Sequence, residues 1–88
     1  MRSMQTNLGV IRDKHSIYSG LLQSQSTHGQ LAVCYNSDGK LIVKICIVKE
    51  IGPETNGNVT LVSPDEGHTE VTIPLEHIES IYPISEFA

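Results

Sequence analysis

The sequence predicts a mainly β fold in which an N-terminal helix precedes a small five-stranded antiparallel barrel. Three observations lead to this prediction. From residue 31 onward, turn signals divide the chain at short intervals, and apolar and polar residues alternate between them; the preceding segment instead has apolar residues at helical spacing. Five short antiparallel strands curl into a barrel more readily than they lie flat, because a flat sheet would leave one apolar face open.

The polar N-terminal part of the chain has apolar residues at intervals that suit a helix. Spacings of three, seven and four residues separate Leu8, Ile11, Tyr18 and Leu22, and Ile17 and Leu21 lie beside that stripe. We therefore predict a helix near residues 13–23, although Gly9 and Gly20 are poor helix formers; the alternative is that SIYSGLLQS forms a first strand. This divides the chain into residues 1–30, the helix with a polar linker, and residues 31–88, the barrel domain.

The strongest turn signal is Asp38-Gly39, which lies between the apolar runs LAVCY and KLIVKICIVKEI and predicts a β-hairpin. The second run is long for one strand, and its two faces differ. Its odd positions are all apolar, so we expect this face to point to the core: they are Leu41, Val43, Ile45, Ile47 and Ile51. The even positions would then form an unusually apolar outer face: they are Ile42, Lys44, Cys46, Val48 and Glu50.

The rest of the chain predicts three shorter strands. Asn56-Gly57 can take the positive φ values of a turn, and residues 63–67 mark another turn. Pro74 donates no backbone hydrogen bond, so it is expected at a sheet edge or a strand end. One helical turn at LEHI then leads into the last strand. The residues expected to point inward are Val59, Leu61, Val71, Ile73, Leu75, Ile78, Ile81 and Ile84, with Glu70 and Thr72 outward.

Length, charge and cysteine content limit the function classes. A chain of 88 residues forms at most one domain. It buries only about 60–65% of the surface that its unfolded form exposes, so its stability is modest, and association with copies of itself would increase that stability. The formal net charge is −4 and the basic residues are scattered, so nonspecific attraction to nucleic acid is not expected. The sequence has no apolar signal region and no membrane-length apolar stretch. We therefore expect a cytoplasmic protein in which Cys34 and Cys46 are buried free thiols, a disulfide between them being the alternative.

Residue types that carry chemistry are present, but they lack the spacing that chemistry requires. The turn that contains Asp65, Glu66, His68 and Glu70 could hold a divalent metal, although hairpin turns commonly have this composition. The four histidines lack metal-ligand spacing, and neither cysteine has a histidine beside it in sequence. No glycine-rich nucleotide loop is present. We therefore predict no catalytic residue, no metal site and no cofactor.

The polar residues of the segment VTIPLEHIESIYPI are the candidates for a ligand-facing rim. Glu76, His77 and Glu79 lie in or beside the turn that separates the last two predicted strands. Carboxylates on both sides of a histidine favour its protonated form near neutral pH, which would suit a pH-sensitive contact. The alternative is an ordinary solvated turn.

The end of this segment resembles the closing segment of Sm-like proteins, which include the Hfq-type bacterial RNA chaperones. The matching residues are Ile78, Ser80, Ile81 and Pro83, and the order of a helix and five strands with a long second strand is also similar. The resemblance implies a barrel that assembles into rings through its edge strands. The family's Lys-His pair would fall on Leu75 and Glu76, so its nucleotide pocket is not carried over. The closing segment is also similar to that of PRC-barrel domains.

These observations predict a non-catalytic binding or assembly module that associates with copies of itself. The residues expected at the oligomer interface are Ile42, Cys46, Val48, Val62 and Tyr82. A further protein partner is compatible with this prediction, and no membrane partner is expected. The alternatives are an Sm-like ring that binds RNA or DNA, and a small metal-binding protein or enzyme.

Overall fold

The computed structural model describes residues 10–64 and 67–84, which form one helix followed by five antiparallel strands. The elements are α1 (Lys14–Thr27), β1 (Gln30–Ser37), β2 (Lys40–Ile51), β3 (Asn58–Ser63), β4 (Thr69–Pro74), a 3-10 turn (Leu75–His77) and β5 (Ile78–Ile84). The strands form one sheet in the order β4-β3-β2-β1-β5. The mainly β fold class is therefore confirmed, and the segment predicted as a helix or a first strand is a helix.

Both ends of α1 have local capping contacts. The Asp13 carboxylate accepts a hydrogen bond from the backbone N–H of Ser16 at 2.9 Å, which is an N-cap. This hydrogen bond lowers the pKa of Asp13 below its usual value. At the other end His28 takes the left-handed conformation, with φ of 62°, and donates its backbone N–H to the carbonyl oxygen of Ser24.

The buried side of α1 differs by one position from the predicted stripe. Ile17 and Leu21 are 3% and 0% exposed, whereas Leu22 is 41% exposed, so the placement of Leu22 on the buried stripe is wrong. Gly20 lies on the packed side as well. A Cβ atom at Gly20 would be 2.6 Å from Cδ1 of Ile81, so this glycine allows the helix to approach β5 closely.

Hydrogen bonds of Ser24 and Ile11 help to attach the helix and the segment before it to the sheet. The hydroxyl of Ser24 donates to the carbonyl oxygen of Gly29 at 2.6 Å and accepts from the backbone N–H of Val48 at 3.3 Å. Ile11 and Ile81 exchange backbone hydrogen bonds of 2.8 and 2.9 Å. Ile11, expected on the helical stripe, therefore lies before the helix and extends the sheet beyond β5.

The β1–β2 hairpin has the predicted two-residue turn. Asp38 and Gly39 have φ of 54° and 80°, and the backbone N–H of Gly39 donates to the side-chain oxygen of Asn36 at 3.1 Å. Ser37 pairs with Lys40, and the ladder continues without a break from there. In this register each odd-numbered residue of β1 lies opposite an even-numbered residue of β2.

The two faces of β2 are the reverse of the prediction over most of the strand. Leu41, Val43 and Ile45 are 63%, 66% and 47% exposed, whereas Cys46 and Val48 are 1% and 2% exposed. The expectation that the odd face points to the core is therefore wrong for these positions. The expected exposure of Cys46 and Val48, on which their place at an oligomer interface rested, is wrong too, and Ile42 is half-buried against the core.

The hairpin register explains this reversal. Leu31, Val33 and Tyr35 of β1 are all buried, and they pair with Cys46, Lys44 and Ile42. Directly paired residues point to the same side of a sheet, so the even positions of β2 must face the core with their β1 partners. Lys44 is half-buried on this inner side, where a long aliphatic stem can cover apolar surface.

β2 belongs to two ladders, and a bulge changes its inward positions. Residues 40–46 pair with β1, and residues 47–51 pair with β3. The β3 register shifts between Val48 and Glu50, which is typical of a bulge. Beyond it Ile51 pairs with Val59 and packs against the core, so its predicted inward direction is confirmed.

One hydrophobic core collects side chains from the helix and all five strands. Its buried members are Ile17, Leu21, Leu31, Val33, Tyr35, Cys46, Val48, Val59, Leu61, Ile73, Ile78 and Ile81. The inward direction predicted for β3, β4 and the start of β5 is confirmed, with Val71 and Leu75 partly buried against this core. Pro74 is the last residue of β4, an edge strand, as predicted.

Candidate functional site

A cleft of about 540 Å³ opens between the first turns of α1, the β2–β3 turn and the 3-10 turn. Its apolar residues include Ile17, Leu75 and Ile78. Its charged residues are Lys14 from the helix, Glu54 from the β2–β3 turn and Glu76 from the 3-10 turn. About half of the lining residues are polar or charged, so the wall is more polar than that of most small-ligand sites of this volume.

Two side-chain contacts place α1 against the β2–β3 turn. The Tyr18 hydroxyl donates to the carbonyl oxygen of Gly52 at 2.7 Å. The Nδ1 atom of His15 lies 3.1 Å from a carboxylate oxygen of Glu54, but the two side chains are 78% and 46% exposed. Solvent screens such a pair, so Tyr18 is the stronger positional restraint.

Backbone packing fixes the β2–β3 turn against the 3-10 turn. A Cβ atom at Gly57 would lie 2.0 Å from the carbonyl oxygen of Pro53, so only glycine fits there without movement of the backbone. The carbonyl oxygen of Gly57 accepts the backbone N–H of Leu75 at 3.0 Å. Asn56 has the positive φ expected for this turn, 61°, whereas Gly57 does not. The sequence needs glycine at position 57 because the backbone of Pro53 packs directly against it.

The three predicted rim residues are exposed, but they do not share one site. Glu76 lines the cleft, whereas His77 and Glu79 are not part of its wall. Within residues 10–64 and 67–84, none of the three makes a side-chain hydrogen bond or an ion pair. A ligand-facing role for His77 and Glu79 stays a prediction.

A second surface, absent from the sequence prediction, is the side of the β2-β1-β5 ladder that points away from the core. We call the apolar part of this side the outer face, and it consists of Ala32, Cys34, Leu41, Val43, Ile45 and Tyr82. Two polar, uncharged residues lie on the same side: Asn36 opposite Leu41 and Ser80 opposite Cys34. Ala32 lies between Ile45 and Tyr82 in one cross-strand row. Cys34 lies beside Val43 in the next row and beside Ser80 on the β5 side. Cross-strand neighbours of this kind form one continuous surface.

The outer face is apolar, exposed and without charge. Tyr82 is 47% exposed, and Leu41, Val43 and Ile45 are exposed to a similar or greater extent. Together these four residues leave roughly 400 Å² in contact with solvent, which is comparable to the largest apolar patch on many monomers. Of the predicted interface residues, Tyr82 lies on this face and Val62 is a half-buried residue of β3.

The two cysteines are free, as predicted, but they have different environments. Cys46 is buried, and burial raises the pKa of its thiol to about 11. A thiol with that pKa is almost entirely protonated at neutral pH and is therefore a poor nucleophile. Cys34 is only half-buried, so the prediction that it is buried is wrong, and it lies in the middle of the outer face.

The loop considered as a metal site is only partly within the described residues. Asp65 and Glu66 lie outside them. Glu70 pairs with the ammonium group of Lys49 at 2.6 Å, which raises the pKa of Lys49. Within residues 10–64 and 67–84, no group of three or more His, Cys, Asp or Glu side chains is placed to hold a metal ion.

No protein-family model, curated protein or solved structure matches this chain. The resemblances to Sm-like proteins and PRC-barrel domains therefore stay predictions. In the part of the chain that the structure describes, no helix combines the length and the apolar character needed to cross a bilayer.

The outer face could have been found from the sequence, whereas the cleft could not. The two-residue turn at Asp38-Gly39 pairs each odd-numbered residue of β1 with an even-numbered residue of β2. Paired residues point to the same side of the sheet, so the buried face of β1 determines which face of β2 is buried. The cleft depends on the packing of a helix against two distant turns, for which the sequence carries no local signal.

Proposed function

We propose that this chain is a non-catalytic assembly module that associates with further copies of itself through the outer face. The observation that carries the proposal is the exposure of Leu41, Val43, Ile45 and Tyr82 on one continuous surface of three strands. A small domain gains stability by covering such a surface. The largest exposed apolar patch of a protein is often a functional surface.

The outer face itself carries no charge, which permits a second copy as its occupant although the net charges of the two copies oppose their approach. Each copy has a formal net charge of −4, so two copies repel each other at a distance. The outer face is formed by apolar and uncharged side chains alone, so two such faces can meet without burying a like-charge pair. A highly charged partner such as nucleic acid would find no ionic contact on this surface.

The described residues support a binding role better than catalysis. The buried thiol of Cys46 has its pKa raised to about 11, which opposes its use as a nucleophile. The Glu54 carboxylate in the cleft is paired with His15, and both groups are largely exposed to solvent. Catalytic groups are more often held in partly dehydrated sites where their pKa values are shifted.

Sedimentation velocity from micromolar to millimolar protein tests self-association. We expect the apparent mass of the native chain to rise with concentration. Val43→Glu should abolish this rise, because two like charges would face each other in an apolar contact. Thr72→Glu, which adds the same charge at an exposed position of β4, should leave the rise intact. A native chain that stays monomeric at millimolar concentration would refute the proposal.

A second candidate is a module that binds single-stranded RNA or DNA in the cleft. The cleft combines the Tyr18 ring, the amide side chains of Asn56 and Asn58 and the ammonium group of Lys14, which suit a base and a phosphate. Glu54 and Glu76 in the same cleft oppose phosphate binding, which places this candidate second.

Fluorescence anisotropy with U-rich and A-rich oligonucleotides at low salt tests this second candidate. Binding that weakens in Lys14→Glu and Tyr18→Ala would support it. Lys40→Glu, a charge change at an exposed position outside the cleft wall, is the control. No change in anisotropy at tens of micromolar protein, on the order of a weak nonspecific affinity, would exclude it.

A further inference from the structure

Among the described residues, the first half of β2 has a strand partner on one side only. Residues 40–46 pair with β1, whereas the ladder to β3 starts at Ile47. No other described strand pairs with residues 40–45, and none of the described backbone hydrogen bonds outside the strands involves them. We call residues 40–45 the β2 edge. Such an edge presents backbone donors and acceptors to another strand.

The other edges of the described sheet are less suited to accept a strand. Ile81 of β5 already exchanges two backbone hydrogen bonds with Ile11, and Pro83 has no N–H to donate. β4 ends in Pro74, and Glu70 on this strand brings a charge. Prolines and charges of this kind protect edges against pairing. The β2 edge has no proline, and its outward side chains are Leu41, Val43 and Ile45. It does carry two charges: Lys40 lies at its first position, and Lys44 is half-buried on the inner side.

Building on self-association, which is the proposed function, we propose that two copies pair antiparallel through their β2 edges about a two-fold axis at Val43. In this register Val43 lies opposite Val43 of the second copy, and Leu41 lies opposite Ile45. The product joins the β5-β1-β2 ladders of the two copies into one continuous six-stranded ladder, in which the two outer faces lie side by side. The ligand of this surface is therefore a second copy of this chain.

Side-chain direction and charge select this register among the alternatives. In a flat antiparallel pair, opposed residues lie on the same face of the sheet, so the axis must pass through a residue and not between two residues. An axis at Ile42 would place Lys40 opposite Lys44, and an axis at Lys44 would place that lysine opposite itself. Like charges directly opposite are destabilising. An axis at Val43 places Lys44 opposite Ile42, which is uncharged.

The buried area predicts a weak dimer. Side-by-side pairing buries the backbone of the β2 edge and parts of Leu41, Val43 and Ile45, whereas Tyr82, two strands away on β5, stays exposed. The buried area in total is therefore below about 1,000 Å², the range of weak and transient complexes. We therefore expect reversible association that needs protein concentrations above the micromolar range.

Disulfide trapping tests the axis. In a Cys34→Ser background, Val43→Cys should form a disulfide-linked dimer under mild oxidation, because paired strands hold the two Cα atoms about 4.5–5.5 Å apart. The remaining thiol, Cys46, is buried and has its pKa raised to about 11. We expect cross-linking about tenfold or more faster than for Thr72→Cys in the same background, since pairing creates a high effective concentration. Equal rates would overturn the proposal.

A charge-exchange pair tests the register independently. Leu41→Glu and Ile45→Lys should each reduce self-association in sedimentation velocity, because each places a charge opposite an apolar residue. The double variant should restore it, because each new carboxylate then faces a new ammonium group of the other copy. If the native chain dimerises but the double variant does not, the register is wrong and the proposed function stands. If the native chain is monomeric throughout, both are wrong.

Discussion

Replacing Val48 by alanine should destabilise the chain far more than the same replacement at Val43, although both valines lie on β2. Val48 is 2% exposed and Val43 is 66% exposed. Truncation of a buried valine loses two carbon atoms of burial, about 0.8 kcal/mol each. The cavity that remains, roughly 40 Å³ at about 24 cal/mol per Å³, adds about 1 kcal/mol. The expected loss in the free energy of unfolding is therefore about 2.5 kcal/mol for Val48→Ala. Val43 is only about one third buried, so Val43→Ala loses about a third of the burial term, roughly 0.5 kcal/mol.

Urea denaturation followed by circular dichroism measures both losses. The protein should be at low micromolar concentration, so that self-association at Val43 does not contribute to its apparent stability. The corresponding fall in melting temperature is roughly 10–20 °C for Val48→Ala and a few degrees for Val43→Ala. Equal losses, or a larger loss at Val43, would show that the odd positions face the core and would refute the reasoning on which the outer face depends.

Three further predictions concern local contacts. Gly57→Ala should cost about 1–3 kcal/mol in the same urea assay, because the added Cβ would collide with the Pro53 carbonyl; an unchanged midpoint would contradict this. A thiol reagent at pH near 8 should label Cys34 first and Cys46, whose pKa is raised to about 11, only after unfolding; rapid labelling of both would contradict the burial of Cys46. The Asp13 pKa is lowered from 3.8, so its cap stabilises fully above that value and is lost as pH falls through the folded-state pKa. The melting-temperature difference between the native chain and Asp13→Ala should therefore shrink in acid, and a constant difference would contradict the cap.

Local signals predicted the elements of this fold, and the hairpin at Asp38-Gly39 is the clearest case. Its two residues adopt the positive φ values that the dipeptide favours. The helix was predicted at the right place because apolar residues recur along it, and it extends to Thr27. Strand identity and turn position depend on neighbouring residues, so they can be predicted from a single sequence.

The direction of β2 shows what local patterns cannot decide by themselves. Both faces of this strand contain apolar residues, and Lys44 suggested that the even side faced solvent. The register of the hairpin forces the opposite arrangement, because Val33 is buried and lies opposite Lys44. A pattern within one strand therefore has less weight than the same pattern combined with the pairing that its turn imposes.

The cleft and the β2 edge depend on contacts between distant parts of the chain. The wall of the cleft brings Tyr18 close to Gly52, and the β2 edge exists because the ladder to β3 begins only at Ile47. Neither fact follows from periodicity. The Sm-like resemblance, which covers Ile78 to Pro83 in detail, gives no information about either surface.

The pairing of β1 with β5 has a consequence for how the chain folds. The β1–β2 hairpin joins neighbouring segments, and hairpins of this kind form in microseconds. Gln30 pairs with Ile84, which is more than 50 residues away in sequence, so the β1–β5 ladder forms only after a long loop has closed. During synthesis on the ribosome, β5 emerges after all the other described strands. Until then the backbone groups of β1 on that side are unpaired, and Val33 lacks its cross-strand neighbour Ile81. Until β5 emerges, the nascent chain therefore exposes the edge of β1 and the apolar side chains that β5 covers in the folded chain, and a chaperone would protect them during that interval.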